Sequence, residues 1–181
     1  NYILYCANHL ALTPNEPILF DEIVKLLIEN NYHSGLDIIL RLHPMDNYAR
    51  WEKVVTKYDN IYLNIPWPDY NKEYHNWGIP AKQDLVFYTN LIKYSSIVLN
   101  IASTVAIDAA ILDIPTIFIG FHPKNVQESK LYYDYHFTDH YKDITSIGAV
   151  ELVINQNDFL NSFKKNYDKK NLLKLKREKL V

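Results

Sequence analysis

The stretch from residue 95 to residue 120 constrains the fold of this chain more than any other part of the sequence. Two short apolar runs rich in β-branched residues, 97–101 and 116–119, flank a segment whose apolar residues recur with the period of a helix. Apolar runs without polar alternation are typical of parallel strands that are covered on both faces. The pattern therefore predicts a strand, a helix and a second strand that form one parallel unit at the centre of a sheet.

The same alternation continues along the rest of the chain. Further apolar runs predict strands at residues 2–7, 36–42, 61–65 and 149–154. Helical periods lie between them, and Asp46 is expected to cap one of these helices. The connection 121–140 shows no clear period. We therefore expect the α/β class, a Rossmann-like three-layer sandwich with a parallel sheet of about six strands. Residues 1–166 would form this domain, and residues 167–181 would add a basic C-terminal helix.

Composition argues against several classes of protein. Among 181 residues, 19 Lys and Arg stand against 21 Asp and Glu, and this net charge of −2 argues against nucleic acid as the main partner. The single cysteine, Cys6, lies inside a predicted strand, so no disulfide framework is expected and a reducing, cytoplasmic setting follows. No apolar run approaches the roughly 18 residues of a membrane span. The seven histidines lack metal-ligand spacing, so we expect no metal site.

Arg41 and His43 stand at the end of the second predicted strand, directly before Pro44. Proline cannot donate to a strand ladder, so we expect the strand to end there. Because side chains alternate along a strand, Arg41 and His43 would point to one face while Leu42 points to the other. Both could then reach one phosphate group. The alternative for His43 is structural, with the ring capping the next helix or bonding a backbone carbonyl.

Polar residues also follow the fourth predicted strand. Ser103 and Thr104 stand where a helix begins, and the free backbone N–H groups of a helix start favour phosphate. Asp108 comes one helical turn after Thr104 and could accept a hydrogen bond from a ribose or polyol hydroxyl. The alternatives are a simple helix cap for the two hydroxyl residues and a structural hydrogen bond for Asp108.

Two further segments complete the predicted rim. Asn8 and His9 open the polar turn after the first strand, and this turn should line the same site. The long loop 66–82 carries Trp67 and Trp77, which could cover a ligand or simply pin the loop. Glycine-rich phosphate signatures are missing, so neither a P-loop nor a dinucleotide fingerprint fits. Anion binding would have to come from helix ends and side chains.

Two motifs of the chain resemble a known group of enzymes. Residues 103–115, Ser-Thr-Val-Ala-Ile-Asp-Ala-Ala-Ile-Leu-Asp-Ile-Pro, resemble a segment in the C-terminal halves of GT-B transferases, nearest the CDP-glycerol glycerophosphotransferase and capsule polysaccharide transferase group. Residues 41–44, Arg-Leu-His-Pro, resemble the Arg/Lys-x-His-Pro motif of the same proteins. In the order of elements the resemblance covers residues 2–166. The turn 100–104, Asn-Ile-Ala-Ser-Thr, departs from the family's Asp-Tyr-Ser-Ser turn and is less polar.

The resemblance implies the donor-binding domain of a bacterial glycosyltransferase or glycerophosphotransferase that acts in capsule, teichoic acid or lipopolysaccharide synthesis. A CDP- or UDP-linked donor would be the substrate, a glycan or polyol phosphate would be the acceptor, and no separate cofactor would be needed. The general base would belong to an N-terminal domain of the same chain, and the C-terminal helix would cross to that domain. The fragment alone would bind without turnover. The full protein, though cytoplasmic, could associate with the inner face of the membrane.

The resemblance also implies separate roles for the site residues. Arg41 and His43 would be the catalytic pair that contacts phosphate, because positive charge stabilises the negative charge that develops on the leaving group. Ser103 and Thr104, with their amides, would bind the diphosphate, and Asp108 would bind a sugar or polyol hydroxyl. The polar turn after the first strand would complete the donor site.

Two other functions stay open. An enzyme similar to UDP-N-acetylglucosamine 2-epimerase would share the GT-B architecture, and it would not depend on an acceptor as a transferase does. A non-catalytic, flavodoxin-like binding module would need no chemistry at all. Seeing the residues that precede Asn1 would separate an enzyme from such a module, because a second Rossmann-like half in that position would settle the question.

Overall fold

Six parallel strands form the sheet of this domain. A computed structural model describes residues 2–32, 36–66, 82–126, 132–168 and 171–181. The strands are β1 (Tyr2–Cys6), β2 (Asp37–Arg41), β3 (Ile61–Asn64), β4 (Ile97–Asn100), β5 (Thr116–Ile119) and β6 (Glu151–Val153). They pair in the order β3-β2-β1-β4-β5-β6. The α/β class and the parallel sheet predicted from the sequence are confirmed.

Helices connect the strands on both faces of the sheet. They are α1 (Glu16–Glu29), a short 3-10 helix (Tyr48–Arg50), α2 (Glu52–Val55), α3 (Lys82–Lys93), α4 (Val105–Ile111), α5 (Tyr132–Tyr135), α6 (Lys142–Ile147), α7 (Gln156–Asp168) and α8 (Lys174–Leu180). Among the described residues, no helix has the length and apolar character needed to cross a membrane.

Alternation along the strands divides the core between the two faces. On β1, Ile3 and Tyr5 pack with residues of α1, α2 and α7 in the largest core cluster, whereas Leu4 and Cys6 pack with residues of α3 and α4 on the other face. A third cluster joins Phe118 of β5 to α4 and α6. Strands that are buried on both faces must be apolar at consecutive positions, which explains the continuous apolar runs of the sequence.

The strand order reverses between β1 and β4. From β1 the chain passes through α1 to β2 on one side, and β4 pairs with β1 on the other side. The loops after β1 and β4 therefore lead to helices on opposite faces, and such a reversal opens a crevice outside the carboxyl ends of the strands. This order differs from the flavodoxin-like order, so the flavodoxin-like topology considered from the sequence is wrong.

The structure departs from the sequence expectations in the connections. The helix α5 lies in the connection 121–140, where no period was visible, and α6 follows directly after it. Asp46 is not the cap of the next helix, because the side chain of Asn47 accepts the Ala49 N–H there instead. Trp67 and Trp77 lie outside the described residues.

The C-terminal helix α8 packs against α4 and α6 of this domain. Arg177 of α8 is 2% exposed, and its guanidinium donates hydrogen bonds of 2.9 and 2.7 Å to one carboxylate oxygen of Asp113. Asp113 follows α4 and has a φ of +56°. The expected passage of this helix to a second domain stays a prediction.

We predict that Asp113→Asn weakens the docking of α8. Asparagine tolerates the positive φ of this position, so the change removes the charge without straining the backbone. It leaves the buried Arg177 guanidinium without its carboxylate, which should lower the free energy of unfolding by about 2 kcal/mol in urea denaturation. Asp139→Asn is the control, since Asp139 is 93% exposed beside Lys142 and should cost little. Equal losses in both variants would contradict the assignment.

Candidate functional site

Asn8 joins the two loops that border the crevice. Its side-chain Nδ2 donates a 3.2 Å hydrogen bond to the backbone oxygen of Ala102, which lies in the loop after β4. Its Oδ1 accepts the backbone N–H of His9 at 2.8 Å. Asn8 is only 8% exposed, so both ends of the side-chain amide are used within the protein. The residue that we predicted to line the donor site therefore holds the β1 and β4 loops together.

Glu16 lies beneath the same loop and is fully buried. Its carboxylate accepts hydrogen bonds from the Asn8 backbone N–H at 3.1 and 3.0 Å, from the Tyr5 hydroxyl at 3.1 Å and from the Thr13 hydroxyl at 2.8 Å. Burial raises the pKa of Glu16 to about 7, although the hydrogen bonds and the charge of Arg50 act in the opposite direction. Glu16 is thus a titrating group inside the protein, at the base of the crevice.

Arg50, in the 3-10 helix, contacts the same loop. Its guanidinium forms a 2.7 Å ion pair with Asp46 and lies 3.5 Å from an oxygen of Glu16. It also donates hydrogen bonds to the backbone oxygens of Thr13, at 2.7 Å, and Pro14, at 3.1 Å. These protein groups occupy the Arg50 donors, so this arginine has a structural role.

Arg41 lies in a different environment. Its guanidinium donates a hydrogen bond to Oδ1 of Asn64 on β3, and its Cζ lies 4.8 Å from the centre of the Tyr88 ring. Arg41 is half-buried, and within the described ranges it forms no ion pair with a carboxylate. The Asp84 carboxylate acts on the charge of Arg41 electrostatically. A guanidinium that has lost part of its hydration still favours direct contact with a bound anion. This environment suits the phosphate contact that we predicted.

Tyr88 of α3 connects Arg41 to Asp108 of α4. The Tyr88 hydroxyl donates a 2.6 Å hydrogen bond to Oδ2 of Asp108. Burial, together with the neighbouring Asp108 carboxylate, raises the pKa of Tyr88, so its hydroxyl stays protonated and remains a donor. The structural hydrogen bond that we considered for Asp108 is therefore present, and it uses only one of the two carboxylate oxygens.

His9 and His43 meet at the ends of β1 and β2. Their ring centres are 5.1 Å apart and their planes are 80° to one another, an edge-to-face contact. Nδ1 of His9 accepts the Ala11 N–H at 3.0 Å, and Nδ1 of His43 accepts the Met45 N–H at 3.1 Å. In a neutral ring the proton must then lie on Nε2. Burial and the neighbouring His9 lower the pKa of His43, which favours this neutral form.

Ser103 and Thr104 lie just before α4, on the other border of the crevice. The Ser103 hydroxyl accepts the Val105 N–H at 3.3 Å, whereas the Thr104 side chain is exposed and makes no capping hydrogen bond. In the part of the chain that the structure describes, the backbone N–H groups of both residues donate to no protein acceptor. These two amides can donate to a ligand.

The predicted site residues form two connected groups on one edge of the sheet. Asn8, His9 and His43 form the first group, and Arg41 and Asp108, joined through Tyr88, form the second. Arg41 and His43 have different partners, although alternation along the strand had suggested a common face. Ser103 and Thr104 stand on the β4 side and are bridged to the first group by the bond from Asn8 to Ala102.

No group of three or more His, Cys, Asp or Glu side chains in the described ranges is arranged to hold a metal ion.

The sequence reasoning missed three residues of this site, Glu16, Arg50 and Tyr88. Glu16 was visible only as an acidic residue next to Pro17 at a helix start, where carboxylates are common. Tyr88 was visible only as an apolar residue of a helical period. The sequence has no local signal that pairs Tyr88 with Asp108, because the two residues lie on different helices, one before β4 and one after it.

Comparison with known proteins places the fold among sugar-nucleotide enzymes. The S. aureus MnaA–UDP complex matches with a TM-score of 0.62 at 16% identity, over 98% of this chain and 40% of that one. UDP-GlcNAc 2-epimerase from Neisseria meningitidis, bound to UDP-GlcNAc, matches with a TM-score of 0.58 at 16% identity, over 96% of this chain and 38% of that one. The Methanocaldococcus jannaschii enzyme in complex with UDP-GlcNAc and UDP matches with a TM-score of 0.53 at 17% identity, over 89% and 37%.

These likenesses show the fold. The chain spans about two fifths of the length of these structures. No protein-family model matches the chain, and no curated protein matches it in sequence. The fold is GT-B-like, as expected from the resemblance. The CDP-glycerol transferase group is not distinguished among such proteins, because the structures that match include UDP-GlcNAc 2-epimerases.

We predict that Glu16 makes the stability of the protein depend on pH. The pKa of Glu16 is about 7 in the folded protein against an ordinary value of 4.5. Between pH 4.5 and pH 7, the folded protein therefore keeps the Glu16 proton, whereas the unfolded chain has lost it. The free energy of unfolding should therefore fall as pH rises through this range, by about 3 kcal/mol in total. Glu16→Gln cannot titrate and should lack this fall, which urea denaturation across the pH range would measure.

The buried His136 changes the free energy of unfolding with pH in the opposite direction to Glu16. Burial lowers the pKa of His136 to about 4, so its contribution to stability is lost as pH falls from 6.5 toward that value. Comparing wild type and Glu16→Gln at each pH removes this contribution, because both proteins contain His136. Parallel curves for the two proteins would rule out Glu16 as a titrating group.

Proposed function

We propose that this chain is the nucleotide-binding half of an enzyme that acts on a sugar nucleotide, with UDP-GlcNAc 2-epimerase chemistry as the first candidate. The observation that carries the proposal is the reversal of strand order between β1 and β4, where Asn8 joins the two loops and polar side chains gather at the carboxyl edge. Doubly wound sheets bind nucleotides at such a reversal. The fold likeness to structures that contain UDP or UDP-GlcNAc supports this class of ligand.

The diphosphate would lie between Arg41 and the loop after β4. Neighbouring strands are about 4.8 Å apart, so β2 and β4, which flank β1, stand about 10 Å from each other. The long Arg41 side chain and a diphosphate can span this distance together. Arg41 would supply the positive charge, and the open amides of Ser103 and Thr104 would donate from the other side.

The sugar or ribose would use the remaining polar groups of the edge. Oδ2 of Asp108 accepts the hydrogen bond from the Tyr88 hydroxyl, whereas Oδ1 accepts no hydrogen bond within the described ranges. Oδ1 can therefore accept one from a ligand hydroxyl. Tyr88 would fix the direction of this carboxylate. His9 carries the ring proton on Nε2 when neutral and could donate it toward a phosphate oxygen, and the centre of the His43 ring lies 5.1 Å from that of His9. These roles extend the assignments made from the sequence.

Glycosyl or glycerophosphate transfer is the second candidate. The Arg-Leu-His-Pro and Ser-Thr motifs of residues 41–44 and 103–104 favour it through their resemblance to those transferases. The epimerase candidate is placed first because the structural neighbours include such enzymes. The transferase candidate needs the diphosphate to be held, because glycosyl transfer breaks the bond between sugar and phosphate, glycerophosphate transfer breaks the bond between the two phosphates, and in each case negative charge develops on the leaving phosphate. The epimerase candidate needs it to be held because the sugar is bound through its diphosphate. A non-catalytic module would share the binding site alone.

We predict that Arg41→Gln weakens the binding of UDP to the 181-residue chain. Losing a charge-assisted contact to phosphate should lower the affinity about 10- to 100-fold in calorimetric titration. Uridine, which lacks phosphate, should bind wild type and variant alike. Lys93→Gln is the matched control, because it removes a positive charge at the last residue of α3, where the chain leads to the start of β4 and not to the carboxyl edge of the sheet. A folded wild-type chain that binds no UDP would refute the nucleotide site, and equal UDP affinities would refute the role of Arg41.

We predict that acceptor dependence separates the two enzymatic candidates. The protein that contains this chain, incubated with UDP-GlcNAc and no acceptor, should change the configuration at carbon 2 of the sugar if it is an epimerase. Proton NMR of the nucleotide sugar would follow this change. Release of free nucleotide only when a glycan or polyol phosphate is added would favour the transferase instead.

A further inference from the structure

The loop between β1 and α1 is held in place by one buried carboxylate. This loop, residues 8–15, carries Asn8 and His9 of the proposed site. Its first N–H, from Asn8, donates to both oxygens of Glu16, at 3.1 and 3.0 Å, and its Thr13 hydroxyl donates to the same carboxylate at 2.8 Å. Both ends of the loop are therefore tied to Glu16, which belongs to the first turn of α1.

Arg50 ties the same loop through its carbonyl groups. Its guanidinium donates to the backbone oxygens of Thr13 and Pro14 at 2.7 and 3.1 Å, and at 3.5 Å to that of Asn8. The guanidinium also lies 3.5 Å from Glu16. The carboxylate thus binds the donors of the loop while the arginine binds its acceptors, so the two charged groups together determine where the loop runs.

The polar and charged groups that face Glu16 come from several elements, and the Cys6 thiol of β1 also interacts with it electrostatically. Tyr5 contributes from β1, Thr13 from the loop and Arg50 from the 3-10 helix. Behind them, Asp46 pairs with Arg50, and Tyr132 of α5 acts on Tyr5. Only Arg50 among these is a cation, so the negative charge of Glu16 is opposed by a single positive group that Asp46 shares.

We propose that Glu16, in its ionised form, is a positioning residue of the nucleotide site, which sets the β1–α1 loop so that Asn8 and His9 meet the ligand. The inference rests on the proposed function and deepens it. When Glu16 takes up a proton it becomes a weaker acceptor for the Asn8 N–H and loses its attraction for Arg50, so the loop is released from its first residue. Asn8 then no longer holds Ala102, and the crevice loses its fixed width.

This arrangement makes nucleotide affinity depend on one proton. Burial raises the pKa of Glu16 to about 7, so the ionised fraction falls about tenfold between one unit above this value and one unit below it. UDP affinity of the wild type should fall about tenfold over the same range. A direct repulsion between the Glu16 charge and a phosphate would give the opposite slope, with tighter binding at low pH.

The test is calorimetric titration of the 181-residue chain with UDP across this pH range, for wild type, Glu16→Gln and Glu29→Gln. Glu29, exposed at the other end of α1, is the matched control and should follow the wild type. Glu16→Gln should bind about tenfold more weakly than wild type at the high-pH end and should keep only the pH dependence that the phosphate of UDP and the other site residues cause. That phosphate titrates identically in all three experiments, so the difference between proteins isolates Glu16.

A second measurement works without ligand and without a variant at Glu16. The backbone amide resonance of Asn8 in nitrogen-15 NMR should titrate near neutral pH in the wild type, because its acceptor gains a proton there. Equal pH slopes for wild type and Glu16→Gln, an opposite slope, or an Asn8 amide that does not titrate would each overturn the inference. If UDP does not bind at all, the proposed nucleotide site fails, and the Asn8 titration still decides whether Glu16 sets the loop.

Discussion

A sheet whose strands all run in one direction places every carboxyl end on one edge, and the other features of this domain depend on that constraint. Parallel strands need helices on both faces, and the helices after β1 and β4 lie on opposite faces. The loops after β1 and β4 therefore run to opposite faces although their strands are neighbours, and the crevice opens between these loops. The bond from Asn8 to Ala102 crosses this opening and limits its width. Polar groups from several strands can be concentrated at this edge because the loops that follow all the parallel strands meet there.

Two arginines near this edge show how surroundings decide the role of a side chain. Arg50 bonds to Asp46, Glu16 and backbone carbonyls, so its charge and its donors are used within the protein. Arg41 contacts the Asn64 amide and the Tyr88 ring, and within the described ranges it forms no ion pair, although the Asp84 carboxylate acts on its charge electrostatically. Both are partly withdrawn from water, but only Arg41 would gain a full counter-charge from a ligand. The different roles that we propose for Arg41 and Arg50 therefore follow from the partners that each already has.

The chain covers about two fifths of its structural neighbours yet has a core on each face of the sheet. Helix α8 adds to this by packing on α4 and α6, with Arg177 buried against Asp113. A domain that closes its own core can present a binding site whether or not further residues complete an active site. Binding of the nucleotide and chemistry on the sugar are thus separate properties, and the site that we propose concerns only the first.

The sequence by itself determined the six strands, because a strand buried on both faces must be apolar at consecutive positions. It also placed Arg41, His43, Ser103 and Asp108 at one edge, since the carboxyl ends of parallel strands coincide. Their partners were decided by the tertiary structure. The pairing of Glu16 with the Asn8 loop, of Arg50 with that loop and of Tyr88 with Asp108 joins residues from different elements.

The expectations for Asp46 and the connection 121–140 failed for different reasons. Asp46 has the residue type of a helix cap, but it pairs with Arg50 and accepts the Trp51 indole N–H at 2.8 Å. The short helices α5 and α6 lack a period that can be read over a few residues. Local patterns report which positions are buried and how a segment turns, because those depend on neighbouring residues. They do not report which distant polar group satisfies a buried one, because that choice is made only when the elements pack.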